Sequence, residues 1–198
     1  QAFLDHLVIF FRDQTITPDQ QKNFALRFGK LHIHPLTEGL DEHPEIVEIV
    51  KEPEELHNWG DRWHIDLTSL ESPPLGSILY AKEVPDFCGD TQWANMYRAY
   101  ETLSDGMKRL IDDLVCVQTG GADGYKNYKG MQFIDAPPMQ AEHPLVRTHP
   151  DTGKKSLFLS RKAVKHFKDM TPKESAPLLD FLYQHLTNPD FSCRFHWR

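Results

Sequence analysis

The chain is a succession of short apolar runs separated by polar, turn-rich stretches, and the period of each run predicts its element. Leu7–Phe11 is continuously apolar and predicts a strand. Thr17-Pro18-Asp19-Gln20 opens a helix, with Thr17 as N-cap, Pro18 at N1 and Gln20 at N3. That helix is expected to turn Phe24, Ala25 and Phe28 inward and to stop at Gly29. Glu45–Val50, Trp63–Leu67 and Gly76–Val84 predict further strands, the last two separated by Ser72-Pro73-Pro74. Met107, Leu110, Ile111 and Leu114 recur at helical spacing over Ser104–Leu114. Leu145–His149 and Lys155–Leu159 flank the turn Pro150-Asp151-Thr152-Gly153 and predict a hairpin. Thr171-Pro172-Lys173-Glu174 is a second capping box, opening a helix that carries Leu178, Leu179, Leu182 and Leu186, with Pro177 distorting its first turns. Phe191–Arg198 predicts a final strand. Strands mixed with a few covering helices point to a sandwich or barrel, not a doubly wound sheet.

Length and composition narrow the field of functions. A chain of 198 residues suits one core, and no repeat or Pro/Gly/Ser linker divides it, so residues 1–198 are expected to form a single domain. The net charge of −7 and the scattered lysines and arginines argue against a nucleic-acid partner. No apolar run is long enough for a membrane span. The first residues lack the basic-then-apolar pattern of a signal peptide and begin without Met, so the chain is expected to lack residues before Gln1. Cys88, Cys116 and Cys193 show no paired spacing and are expected to be reduced, buried thiols in a cytoplasmic protein.

One segment carries chemistry. In Trp63-His64-Ile65-Asp66-Leu67, a strand would put His64 and Asp66 on the same face, because side chains at i and i+2 point the same way. An imidazole and a carboxylate together supply two ligands of a 2-His-1-carboxylate metal site. The spacing by itself is weak, since it recurs in His149-Pro150-Asp151. There the prolyl turn employs the residues, and the two side chains need not converge. A solvent-facing His–Asp hydrogen bond is the plainer alternative for His64 and Asp66.

Wider context bears on that choice. Trp63-His64-Ile65-Asp66-Leu67-Thr68, then Pro73-Pro74, Ala81-Lys82-Glu83-Val84-Pro85 and Gly89-Asp90-Thr91-Gln92-Trp93 follow one another in an order that resembles the taurine dioxygenase family. That family also includes alkylsulfatase and 2,4-dichlorophenoxyacetate dioxygenases. Phe28–Pro35 and His143–Lys155 resemble the same family, so the likeness runs from about Phe24 to Arg198. It implies a double-stranded β-helix, a jelly roll that is mainly β with flanking helices (α+β), with its C-terminal strands missing from this chain. It implies an Fe(II)- and 2-oxoglutarate-dependent dioxygenase that uses O2 to hydroxylate a small anionic organic substrate, releasing succinate and CO2. The substrate would be a sulfonate, an alkyl sulfate or an aryloxyacetate.

Residue by residue, the resemblance makes His64 and Asp66 iron ligands, Thr91 a ligand of a 2-oxoglutarate carboxylate, and His34 a contact for the anionic head of the substrate. The family's second histidine ligand and its 2-oxoglutarate arginine belong to a segment beyond Arg198, and His196 does not match that histidine's position. Thr37 and Gly60 stand where the taurine enzyme has a tyrosine and an asparagine, which implies an anion other than taurine. Lys51–Asp61 and Gly120–Gly130 are candidate lids. Family members are often dimers or tetramers, and the sequence shows no interface. Two other readings stay open: a non-catalytic scaffold of the same fold, and a zinc hydrolase built on His64, Asp66 and another histidine.

Overall fold

The computed structural model describes residues 1–56, 59–121 and 130–198. Its helices in chain order are α1 (Ala2–His6), α2 (Pro18–Ala25), α3 (Met96–Glu101), α4 (Asp105–Ile111) and α5 (Pro172–Leu186). Its strands are β1 (Thr91–Ala94), β2 (Val115–Gly120), β3 (Met139–Pro144), β4 (Val146–Thr148), β5 (Lys155–Leu157), β6 (Val164–Phe167) and β7 (Ser192–Phe195). Every strand pair is antiparallel: β3-β2-β6 form one sheet, and β1-β7 and β4-β5 form two ribbons. Antiparallel sheets with helices packed against them agree with the predicted α+β class.

β2 explains where the core sits. It is the middle strand of its sheet, and Cys116, Val117 and Gln118 are buried in succession, so both of its faces are covered. β3 at the edge keeps a clean alternation instead, burying Ala141 and His143 and exposing Gln140 and Glu142. α5 lays Leu179, Leu182, Tyr183 and Leu186 against Phe167, Ile111 and Leu157. Thr171 and Glu174 exchange the reciprocal hydrogen bonds of a capping box at its start. The helix continues past Pro177 for its full 15 residues. Ser175, fully buried in its first turns, accepts from the Phe167 amide and donates to the Thr171 carbonyl, tying α5 to β6.

Several expectations require correction. Leu7–Phe11, Glu45–Val50, Trp63–Leu67 and Gly76–Val84 form no strand. An apolar run satisfies its side chains by packing, but a strand also needs a neighbouring backbone to complete its ladder. Phe10 illustrates this: its ring stacks on Phe195 at 3.9 Å while its backbone joins no sheet. Helix α2 ends at Ala25, short of Gly29, and Phe24 and Phe28 remain partly exposed in an aromatic cluster with Phe3 and Phe11. Leu110, read as a core position of α4, is 58% exposed, whereas Ile111 is fully buried. Of the three thiols only Cys116 is buried; Cys88 and Cys193 are exposed. Burial pushes the Cys116 thiol up to about 12.

Candidate metal and co-substrate site

The segment that carries His64 and Asp66 has no regular structure through Ile65 and enters a turn at Asp66. Leu67 adopts the left-handed conformation, φ 51°, unusual for a branched side chain, and so reverses the backbone immediately after the carboxylate. Thr68 and Ser69 then dive into the interior, 2% and 6% exposed. Three anchors hold this turn. Ser160, three residues past β5, accepts from the Ile65 amide through its hydroxyl oxygen at 3.4 Å. The buried His143 of β3 reaches the Leu70 carbonyl with Nε2 at 2.9 Å. Gly120, ending β2, leaves room for Ser69, because an added Cβ would collide with its Oγ.

With the backbone so held, His64 and Asp66 converge although they do not lie on a strand. His64 Nε2 is 3.3 Å from Asp66 Oδ1, and His64 Nδ1 is 2.6 Å from the Arg62 carbonyl oxygen. Both ring nitrogens therefore face oxygens that can only accept. A neutral imidazole carries one proton and satisfies one of them. The Arg62 carbonyl claims Nδ1–H, which leaves the Nε2 lone pair opposed to a carboxylate. That arrangement calls for a cation between the two groups, either a proton on Nε2 or a metal ion. Without metal the contact with Asp66 raises the His64 pKa against the opposing effect of burial, and the same contact holds the Asp66 carboxyl low. A ring fixed through Nδ1 by a backbone carbonyl, with Nε2 aimed at a carboxylate, is the tautomer that a metal-ligating histidine takes. The pair thus fits two positions of a three-residue metal site. Among the described residues, no group of three or more His, Cys, Asp or Glu side chains converges.

His34 joins the same neighbourhood. Its charge and that of Asp66 are close enough to influence each other, and burial lowers its pKa. Its Nδ1 accepts from the Leu36 amide at 3.2 Å, so the neutral ring carries its proton on Nε2 and is a hydrogen-bond donor there. Thr37 is 1% exposed, and its hydroxyl finds no partner among the described residues. Gly60, φ 74°, sits with its hypothetical Cβ 3.4 Å from His64 Cε1, so this position itself puts no side chain against that edge of the ring. A cavity of about 650 Å³ opens beside His64, walled by Trp63, Trp93, Tyr183, Arg161 and Lys162.

Thr91 opens β1, whose next three residues line that cavity. Its hydroxyl oxygen accepts from Trp197 Nε1 at 2.9 Å. His196, one residue past β7, is held elsewhere: its Nδ1 is 2.8 Å from Asp90 Oδ1, while Arg194 Nε donates to the other carboxylate oxygen at 2.6 Å. In the second His-x-Asp, His149 Nδ1 accepts from the Asp151 amide, the turn role expected of it. The predicted lid Gly120–Gly130 falls for the most part outside the described residues, as do two residues of Lys51–Asp61. His143 and Ser160 were not singled out from sequence. A buried histidine at an inward position of an alternating strand is the signal that could have drawn attention to the first.

No helix among the described residues is long and apolar enough to cross a membrane. An alkylsulfatase from Acinetobacter baylyi is 32% identical over all of this chain, which covers 64% of that protein. An alpha-ketoglutarate-dependent sulfate ester dioxygenase from Pseudomonas putida is 31% identical over 99% of the chain and 67% of its own length. The crystal structure of a taurine dioxygenase from Burkholderia xenovorans superimposes with a TM-score of 0.75 at 35% identity, covering 95% of this chain and 62% of its own. The chain therefore spans about two thirds of the length of these relatives, and its architecture is that of the jelly roll that the resemblance implied. Residues 1–198 match the model of one family in full: the chain belongs to the taurine catabolism dioxygenase TauD, TfdA family.

Proposed function

We propose that the protein is an Fe(II)- and 2-oxoglutarate-dependent dioxygenase that hydroxylates a small anionic organic substrate of sulfonate, alkyl sulfate or aryloxyacetate type, with release of succinate and CO2. The observation that carries the reading is the His64–Asp66 pair, whose Nε2 and Oδ1 face each other at 3.3 Å with Nδ1 already committed to a backbone carbonyl. Iron, 2-oxoglutarate and O2 supply the oxidising power that no side chain possesses. The residues of this chain bind and orient. His64 and Asp66 hold the metal. Thr91 donates its hydroxyl hydrogen to a carboxylate of 2-oxoglutarate. His34, kept neutral by burial, offers Nε2–H to the substrate's anionic head. Lys51–Asp61 and Gly120–Gly130, both partly outside the described residues, stay the candidate lids for keeping water from the site.

Residues 1–198 belong, in this reading, to one dioxygenase domain in a cytoplasmic homodimer or homotetramer with no nucleic-acid or membrane partner. Three free cysteines support a reducing compartment, and a net charge of −7 supports the exclusion of nucleic acid. The names of the alkylsulfatase and the sulfate ester dioxygenase support sulfate esters as the first substrates to try, and that of the taurine dioxygenase supports sulfonates. Thr37 and the bare Gly60 favour an anion other than taurine, because neither supplies a long polar side chain to grip a small sulfonate. The test is succinate formation with Fe(II), 2-oxoglutarate and O2 in the presence of taurine, longer alkylsulfonates, alkyl sulfates or aryloxyacetates. Succinate is expected to depend on both iron and O2 and to rise most with an anion other than taurine. No succinate with any of them contradicts the activity, and a clear preference for taurine contradicts the substrate assignment.

A further inference from the structure

A threonine hydroxyl has one hydrogen to donate and two lone pairs, and left alone it rotates among its partners. A residue that must hand its hydrogen to a carboxylate gains from having that rotation stopped. Thr91 is stopped by Trp197. The indole N–H can donate but cannot accept, so the 2.9 Å contact between Trp197 Nε1 and Thr91 Oγ1 has only one polarity: Thr91 is the acceptor. Among the described residues Thr91 makes no other side-chain hydrogen bond, so its own hydrogen remains available. Accepting a hydrogen bond also polarises the hydroxyl and makes it a better donor.

The indole is itself firmly placed. In the β1–β7 register Thr91 stands opposite Phe195, and Trp197, two residues further on, reaches back to the residue that Phe195 faces. The Trp197 ring packs edge-to-face on Phe195 at 5.0 Å. Phe195 stacks on Phe10 at 3.9 Å and carries the Arg12 guanidinium 4.1 Å from its centroid. Arg12 in turn donates to the His196 carbonyl at 2.9 Å, fixing the backbone just before Trp197. The N-terminal apolar segment, which forms no strand, thereby clamps the end of β7.

We infer that Trp197 is a positioning residue for the co-substrate: its indole N–H locks the Thr91 hydroxyl so that the free hydrogen points to a carboxylate of 2-oxoglutarate. The inference rests on the 2-oxoglutarate reading above, and its test separates the two. 2-Oxoglutarate is titrated anaerobically into the Mn(II)-loaded full-length protein and followed by calorimetry. Trp197→Phe, which keeps a ring against Phe195 but loses the N–H donor together with part of the indole's surface, is expected to weaken 2-oxoglutarate about fivefold, within the range that one net hydrogen bond supports. The KM for the organic substrate should stay unchanged. In a Thr91→Val background the same change should add nothing, because the hydroxyl it orients is gone. Trp197→His, smaller than phenylalanine but with a ring N–H, should recover part of the affinity. Wild-type affinity in Trp197→Phe overturns the inference. So does an equal loss in the Thr91→Val background, or a histidine variant no better than phenylalanine, since either makes the effect one of packing. A wild-type protein that binds no 2-oxoglutarate overturns the functional reading itself.

Discussion

Asp66→Ala is expected to weaken Fe(II) binding by about 100-fold or more, and to abolish succinate formation with it. Loss of a mere outer partner of a metal ligand already costs about 10- to 100-fold in affinity, and Asp66 is here a ligand itself. The effect should be selective. The Asp66 side chain is 58% exposed, so its removal leaves no buried charge unpaired and opens no cavity. The thermal unfolding midpoint of the metal-free variant should match the wild type within a few degrees. Anaerobic calorimetric titration with Fe(II) makes the measurement, and wild-type affinity in Asp66→Ala would remove the carboxylate from the site. A scaffold role would leave folding intact in the variant too, but it gives no reason for iron to bind the unmutated protein. The zinc hydrolase reading gives no reason for O2-dependent succinate formation from 2-oxoglutarate, so the same assay separates it from the dioxygenase.

The second large effect lies in the core. Leu182 is fully buried on α5, within the cluster that includes Ile111, Leu157 and Phe167. Leu182→Ala removes buried methyl groups and leaves a cavity in close-packed surroundings, at a cost of about 3–5 kcal/mol. A domain with ordinary stability of roughly 5–15 kcal/mol would lose a large part of it. Leu110→Ala is the instructive partner. Sequence spacing puts both leucines on inward helix faces, yet Leu110 is 58% exposed, and its replacement should cost less than about 1 kcal/mol. Urea unfolding of the two variants should separate them clearly; similar losses would mean that α4 packs differently.

The contrast between these leucines indicates what a sequence can carry. Features decided within a few residues were legible: the capping boxes at Thr17 and Thr171, the β4-β5 hairpin around its Pro-Asp-Thr-Gly turn, and the strand before the chain's last residues. Strands were less so, because a ladder depends on a second segment far away in sequence. Trp63–Leu67 shows the difference well. The expected strand did not form, but an irregular approach into a turn with a left-handed Leu67 still set the imidazole against the carboxylate. The motif thus survived an error about the element bearing it. What holds the motif could not be read locally. His143 and Ser160 reach the turn from 73 and 95 positions away, and nothing in their immediate neighbours announces it. Trp197 is similar, lying 106 positions from the threonine it orients.

A structure of the Mn(II)-loaded protein tests the central claim most directly. The metal is expected within direct bonding distance of both His64 Nε2 and an Asp66 carboxylate oxygen, slightly longer than the roughly 2.0–2.2 Å these donors make with the smaller zinc ion, with His64 Nδ1 still held by the Arg62 carbonyl. Metal found elsewhere, or bound to only one of the two while their direct contact persists, would contradict the account.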